Sequence, residues 1–237
     1  MRLVFQHAEL SSAGPRELNE DSVEVREFDP GGLGVAVADG LGGYFGGEIA
    51  SRKATDMVFR DLQKAKTESS EAMLNIHRAL RSEQDTDKNL TGMATTLTYG
   101  IFSNESVVGG HCGDTRIVLI RGKGIKKITE DHTEVQRLLG LEKLSKEEAI
   151  NYSRRHILER ALGAKEPPVI DPVNFKIEPG DRVVFSSDGV HEKIFLRELW
   201  EISKVSDTPS RFVLNVETEL NKRRPEDNFS LVCIDVN

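Results

Sequence analysis

The chain has 237 residues, 38% hydrophobic and 30% charged, which suits a globular protein within reach of one domain with a sizeable core. Its net charge of −7 is a poor match for nucleic acid or an anionic membrane, and no apolar run approaches the roughly 18–20 residues of a spanning helix. Met1–His7 turns polar too soon for a signal peptide, and Cys112 and Cys233 lie in apolar stretches without a CxxC partner, so zinc and redox cysteine motifs are absent and a reducing, cytoplasmic setting is expected.

An apolar run, Leu33–Ala38, ends at Asp39-Gly40. Ala50, Ala54, Met57, Val58, Leu62 and Ala65 recur at helical spacing, as do Met73, Ile76 and Leu80. Leu97, Tyr99 and Ile101 then alternate as in a strand, and further strands are predicted over Ser106–Cys112, Arg116–Arg121 and Ile125–Thr129. Their connectors, Ser103-Asn104-Glu105, Gly113-Asp114-Thr115 and Arg121-Gly122-Lys123-Gly124, are short enough to imply antiparallel neighbours. Residues 131–163 are charged and look helical, without a broad apolar stripe. A strand near Val173–Ile177 and the turn Glu178-Pro179-Gly180-Asp181 lead to a second apolar run, Arg182–Ser187, ending at Asp188-Gly189. Phe212, Val213, Val216 and Leu220 mark a late helix, and Asp227-Asn228 stands before a last strand, Phe229–Val236. Helices before and after grouped antiparallel strands predict an α+β layered fold. The linker-like stretches Asp29-Pro30-Gly31-Gly32 and Ala164–Pro168 are too short to divide it, so residues 1–237 read as a single domain.

Asp-Gly is first a turn signal, so either one alone reads as a plain turn. Three strand-end aspartates drawn from distant segments, however, repel one another unless a cation sits among them. Carboxylates without a His or Cys cluster imply a hard ion, Mg²⁺ or Mn²⁺, and none of the segments has EF-hand spacing. Arg16 stands just ahead of Asn19-Glu20-Asp21, where it reads either as a structural ion pair or as a clamp for a phosphate held over metal ions. Gly113-Asp114-Thr115-Arg116 follows another strand and reads by itself as a tight hairpin turn.

Taken in order, Gly14-x-Arg16-x-x-Asn19-Glu20-Asp21, Val37-Ala38-Asp39-Gly40-x-Gly42-Gly43, Gly92-Met93-x-Thr95-Thr96, Gly113-Asp114-Thr115-Arg116, Arg160-Ala161-Leu162-Gly163, Ser187-Asp188-Gly189 and Asp227-Asn228 resemble the metal-dependent, type 2C serine/threonine protein phosphatases, the bacterial branch most closely. The resemblance runs from residue 14 to residue 228 and implies a four-layer α-β-β-α sandwich, two antiparallel sheets flanked by helix pairs, with a binuclear metal cleft at one sheet edge. It also implies roles. Asp39 bridges two Mn²⁺ or Mg²⁺ ions, the Gly40 carbonyl and Glu20 serve one of them, and Asp188 and Asp227 bind the other. Asp21 holds metal-bound water, Asp114 belongs to a third, weaker metal site, and Arg16 binds the substrate phosphate. Residues 131–156 correspond to a mobile flap that contacts the phosphoprotein.

The expected reaction is hydrolysis of phosphoserine and phosphothreonine by a hydroxide bridging the two ions, with no covalent intermediate. Neither cysteine sits in a Cys-x5-Arg loop. Leu41 stands where some family members carry a histidine assigned as general acid, and His191, close to Asp188 in sequence, reads either as a proton donor or as a supporting residue, so no general acid is assigned. The partners implied are phosphoproteins, the targets of a cognate serine/threonine kinase, acted on by a monomer without nucleic acid or membrane. The rival reading is a pseudophosphatase, a phospho-ligand-binding module without turnover.

Overall fold

Two antiparallel sheets organise the chain. The computed structural model describes residues 2–28, 31–42, 46–64 and 69–237. Met1, Asp29-Pro30, Gly43 and Ala65, which entered the readings above, lie outside the described residues. One sheet consists, from edge to edge, of Phe5–Ser12 (β1), Phe229–Val236 (β11), Arg182–Ser186 (β10), Arg116–Arg121 (β7) and Gly124–Lys127 (β8). The other consists of Asp21–Phe28 (β2), Gly32–Leu41 (β3), Leu97–Phe102 (β5), Ser106–Cys112 (β6) and Asp171–Lys176 (β9), with the short Ala94–Thr95 (β4) paired to the end of β3. Among the described residues there are seven helices: Gly46–Lys64 (α1), Ser69–Thr86 (α2), Glu134–Gly140 (α3), Lys146–Ile150 (α4), Asp188–His191 (α5), Leu196–Lys204 (α6) and Pro209–Lys222 (α7).

Side-chain alternation decides what each strand face meets. Val35 and Val37 of β3 join Phe185, Val232 and Ile234 in a core cluster shared by both sheets. Ala36 and Ala38, on the opposite face of β3, pack against Ala50, Ala54 and Val58 of α1 and Ile76 and Leu80 of α2. Small residues on both sides let α1 lie close to the sheet. On the outer face of the first sheet, Val184, Leu231 and Cys233 meet Phe212, Val216 and Leu220 of α7. That helix starts as its sequence dictates: Thr208 accepts from Arg211 N at 3.2 Å and Pro209 occupies the first turn, where no amide is needed. Each of the fully buried Val, Leu, Ile and Phe side chains among these contributes about 1.5–3 kcal/mol. Both cysteines are buried and free, as small core hydrophobes.

Four expectations are corrected. Asp39-Gly40 is no turn: β3 continues to Leu41 because Gly40 and Leu41 pair with Thr95 and Ala94 of β4. Asp188-Gly189 opens a helical turn behind Ser187, whose backbone is extended. Gly113-Asp114-Thr115 joins no hairpin. The strand before it belongs to one sheet and the strand after it to the other, so the three residues carry the chain between sheets. Gly113 makes that crossing at φ +118°, with Thr96 so close that a Cβ would lie 2.5 Å from its side chain. Within 131–163 only α3 and α4 are helical.

Candidate active site

The antiparallel register of β2 and β3 sets Asp21 directly opposite Asp39. The Asp39 backbone is fixed on both sides by Thr95-Thr96. Its amide donates to Thr96 Oγ1 at 2.8 Å, and its carbonyl accepts from the Thr96 amide and the Thr95 hydroxyl, each at 2.9 Å. The next residue can only be glycine, since a Cβ on Gly40 would lie 2.1 Å from the Gly47 carbonyl oxygen at the start of α1. The Gly40 amide donates to Glu20 O at 3.0 Å and keeps Glu20 alongside.

The other sheet supplies the opposing groups. Ser187 donates from its hydroxyl to Asp21 Oδ2 at 2.7 Å and accepts from Ser230 N at 2.9 Å, which joins the strand ends of the two sheets. A Cβ on Gly189 would lie 2.0 Å from Asn228 O, so glycine lets the Asp188 turn close on the Asp227-Asn228 segment. Asn228 then stitches that segment to the Arg16 loop. Its amide nitrogen donates to Ala13 O and Leu18 O at 2.8 and 2.9 Å, and its Oδ1 accepts from Glu20 N at 2.8 Å. Arg16 lies over the rim. Its Nη2 donates to Asp227 Oδ2 at 2.9 Å and its Nε to Glu226 O at 3.1 Å.

Glu20, Asp21, Asp39, Asp114 and Asp188 thus come within electrostatic reach of one another or of Asp227, and each binds its proton more tightly than a free carboxyl does. Burial is the first cause throughout. The charges of Asp21, Asp188 and Asp114 add to it at Asp39, which is pushed well up. Asp21 rises to about 7 despite its bonds to Ser187 and Ser230, with Asp188 and Asp227 adding to the rise. Asp114 rises to about 8 beside Asp188 and Asp131, and Asp188 to about 6 beside Glu192 and Asp227. Glu20 is raised by burial and then by Asp227. Asp39 and Asp188 are hydrogen-bonded to each other through their side chains.

The Asp114 crossing is braced from behind by two histidines. His132 N donates to Gly113 O at 2.7 Å, and Gly113 N donates back to His132 Nδ1 at 3.1 Å. Nδ1 is therefore an acceptor, and the ring proton sits on Nε2, which donates to Asp171 Oδ2 at 3.1 Å. His111, 4.8 Å away between ring centres, is held neutral by burial and by His132, with its pKa down to about 4; it donates from Nε2 to Glu130 O and accepts at Nδ1 from Thr98. His132→Leu leaves the Gly113 amide without its side-chain acceptor. We expect a loss of about 1–3 kcal/mol, read as a lower urea midpoint, with His132→Asn recovering part of it. An unchanged midpoint for the Leu variant would refute the bracing role.

Next to this loop, Asp131 takes Arg116 in a fork, with Arg116 Nη2 2.5 Å from Oδ2, and Lys127 at 3.2 Å; the two cations outweigh burial and hold its carboxyl far below the usual range. His191 lies beside this group with a buried Nδ1 that has no hydrogen-bond partner. Burial, then the charge of Arg116, keeps its ring neutral, which argues against the proton-donor reading. Ser187, Asn228 and His132 had no assigned role in the sequence reading. Their bonds bridge 166, 208 and 19 residues, so although Ser187 and Asn228 stand in quoted motifs, no local pattern announces their partners.

The donor set fits a hard divalent cation: carboxylates from five segments, the Gly40 carbonyl beside them, and no imidazole or thiolate. Glu20 Oε1 adds a direct indication, being buried without a hydrogen-bond partner. Among the described residues, no three acidic, His or Cys side chains form a ready-made cage. Asp21 turns to Ser187, Asp227 to Arg16, and Asp39 and Asp188 to each other, which are the partners such groups take from within the chain.

A two-sheet α+β fold with this oxygen-rich cluster at the strand ends suits metal-dependent hydrolysis, and comparison with known proteins gives the class. A family model described as "Protein phosphatase 2C" matches residues 13–219. The chain is 30% identical over 232 residues to the serine/threonine phosphatase stp of Listeria welshimeri, spanning 94% of this chain and 92% of that one. It superposes on the serine/threonine phosphatase PstP/Ppp of Mycobacterium tuberculosis with a TM-score of 0.86 at 26% identity, covering 98% of both chains. It is also similar to a PstP catalytic domain in complex with two manganese ions, with a TM-score of 0.83 at 28% identity over 99% of both chains. The chain belongs to the protein phosphatase 2C family, the metal-dependent protein serine/threonine phosphatases.

Proposed function

We propose that the chain removes phosphate from phosphoserine and phosphothreonine in proteins at the cluster centred on Asp39, with two Mn²⁺ or Mg²⁺ ions held there. Asp39 is the shared ligand, Glu20 and the Gly40 carbonyl serve one ion, and Asp188 and Asp227 serve the other. Asp21 orients water, Asp114 belongs to a third, weaker site, and Arg16 grips the substrate phosphate. When bound, the ions acidify water and offset charge on the phosphoryl group. Arg16 presents a planar fork that matches two phosphate oxygens, and its place at the rim lets it swing from Asp227 to the substrate. Thr95 and Thr96 hold Asp39 still, which preserves the geometry an in-line displacement needs.

The observation that carries this reading is that buried carboxylates from both sheets, Asp21 opposite Asp39 on one and Asp188 on the other, stand within electrostatic reach of one another, beside an arginine. On this reading residues 1–237 are one catalytic domain in four layers with the metal cleft at one sheet edge, and residues 131–156 are its flap. No described helix is long and apolar enough to cross a membrane. We further propose a cytoplasmic monomer acting on the targets of a cognate kinase. The test is phosphate release from a phosphothreonine peptide. We expect release with Mn²⁺, background rates in EDTA, and recovery when Mn²⁺ is restored in excess. Release that persists in EDTA would refute the metal-dependent site, and no release with any divalent ion would leave a phospho-ligand-binding module.

A further inference from the structure

Beside the carboxylate cluster lies a cleft of about 510 Å³. One end is formed by Asp114 and Asp188; its walls come from the α3–α4 segment on one side and the turn after α5 on the other. Two large apolar groups line it while open to water, Ile150 at 70% and Phe195 at 66% relative exposure, together with Leu139. Arg155 lines it as well, and among the described residues its guanidinium has no ion pair or side-chain hydrogen bond, whereas Arg116 and Lys127 are committed to Asp131. His156 of one wall pairs with Glu192 of the other, which holds the cleft in shape.

Resting on the phosphatase reading above, we propose that this cleft seats the substrate chain flanking the phosphoresidue, taking an apolar side chain against Ile150, Phe195 and Leu139 and an acidic one against Arg155. The occupant follows from continuity and charge. A phosphoresidue at the Asp39 cluster must carry its neighbours across the adjoining surface, and the cleft begins at two of the cluster's own carboxylates. An extended chain advances about 3.3 Å per residue with side chains alternating in direction, so residues near the phosphoresidue fall within the cleft. Exposed Phe and Ile at its walls gain from covering an aliphatic side chain, and an unpaired guanidinium gains from a carboxylate. Peptides rich in flanking lysine or glycine should therefore be the poorer substrates.

The test uses phosphothreonine peptides varied one position at a time, three residues to either side, to Leu, Glu, Lys or Gly. Each enzyme's peptide rates are divided by its own rate on p-nitrophenyl phosphate, which has no flanking chain. For the parent we expect Leu at one or more positions to exceed Gly about tenfold in kcat/KM, the size of effect that burying one aliphatic side chain gives. In an Ile150→Ser, Phe195→Ala double variant that ratio should fall towards one, and Arg155→Glu should turn a preference for Glu into one for Lys. Thermal melts of both variants confirm that they are folded. A flat profile in the parent, or a Leu preference that survives the double variant, would overturn the cleft inference while leaving the phosphatase reading intact. Absence of turnover on p-nitrophenyl phosphate and every peptide would instead overturn the phosphatase reading, and the cleft inference with it.

Discussion

Asp39→Asn should remove phosphatase activity while making the metal-free protein more stable at pH 8. The activity loss is expected to reach about 10³-fold or more, since on the proposed reading Asp39 would be shared by two ions and its loss would remove on the order of 4 kcal/mol of transition-state stabilisation. The stability gain follows from the sign of the pKa shifts. Asp21, Asp114 and Asp188 are raised to about 7, 8 and 6, and Asp39 is raised as well, all from an unfolded value of 3.8. An acid whose folded pKa is raised leaves the native state holding more protons than the unfolded state, so stability falls as pH rises. Here that fall begins near pH 4 and runs through the folded values of about 6, 7 and 8 of Asp188, Asp21 and Asp114. Below this window every member is protonated and the cluster costs little; above it the fold confines like charges.

Asparagine at 39 takes one ionisable group out of this crowded set at every pH, and it can still donate to Asp188 as the protonated Asp39 does. A gain of about 1–2 kcal/mol at an effective dielectric near 20 corresponds to roughly 2–8 °C in Tm for a chain of this size. Adding Mn²⁺ should reverse the order, because the parent gains more than the variant from a ligand that binds only the folded state. Melting curves at pH 5 and pH 8, with and without Mn²⁺, check all of this. A variant less stable than the parent at pH 8 without metal, or one with an undiminished response to Mn²⁺, would show that Asp39 is not the centre of the cluster.

The candidate site was more legible in sequence than the path that builds it. Carboxylates at the ends of apolar runs stand out because they interrupt a hydrophobic pattern, and Asp39, Asp188 and Asp227 were visible for that reason. Their local geometry was not. Gly40 stays in a strand because β4, contributed from more than fifty residues away, pairs with it, and Asp188 starts a helical turn although the Ser187 hydroxyl is turned to Asp21 and caps nothing. The strands Ser106–Cys112 and Arg116–Arg121 were readable to the residue as short apolar runs between turn residues, yet their short connector suggested a hairpin. Connector length limits how far the chain travels without saying which sheet it joins, and Gly113 turns the chain across to the other sheet. The strands β1 and β2 escaped the reading because half or more of each is exposed or only partly covered, with His7, Glu9, Glu24 and Arg26 diluting the apolar alternation. The amphipathic α6 escaped as well, since its nine residues bury only Leu199 fully.

Arg16→Ala should lower kcat/KM for a phosphopeptide about 100-fold, the second large effect expected of a single side chain. A charge-assisted bidentate contact to phosphate is worth about 1.5–3 kcal/mol, and the attraction is present both in the bound substrate and in the charge-rich transition state. The loss should therefore divide between KM and kcat, where a purely structural ion pair would mainly lower the melting temperature. Arg16→Lys keeps the charge without the planar fork, so it should recover only part of the loss. The same substitution bears on Asp227. With side chains about half exposed on both sides, the Arg16–Asp227 pair adds little to folding, but it occupies an oxygen that, on the proposed reading, would hold the second ion. Removing Arg16 should leave stability within about 0.5 kcal/mol. It should also tighten Mn²⁺ binding slightly, measured by calorimetry without substrate. If Arg16→Ala lost stability and activity together, or bound Mn²⁺ more weakly, the arginine would be a brace for the Asp227 segment, and its hold on phosphate would have to be abandoned.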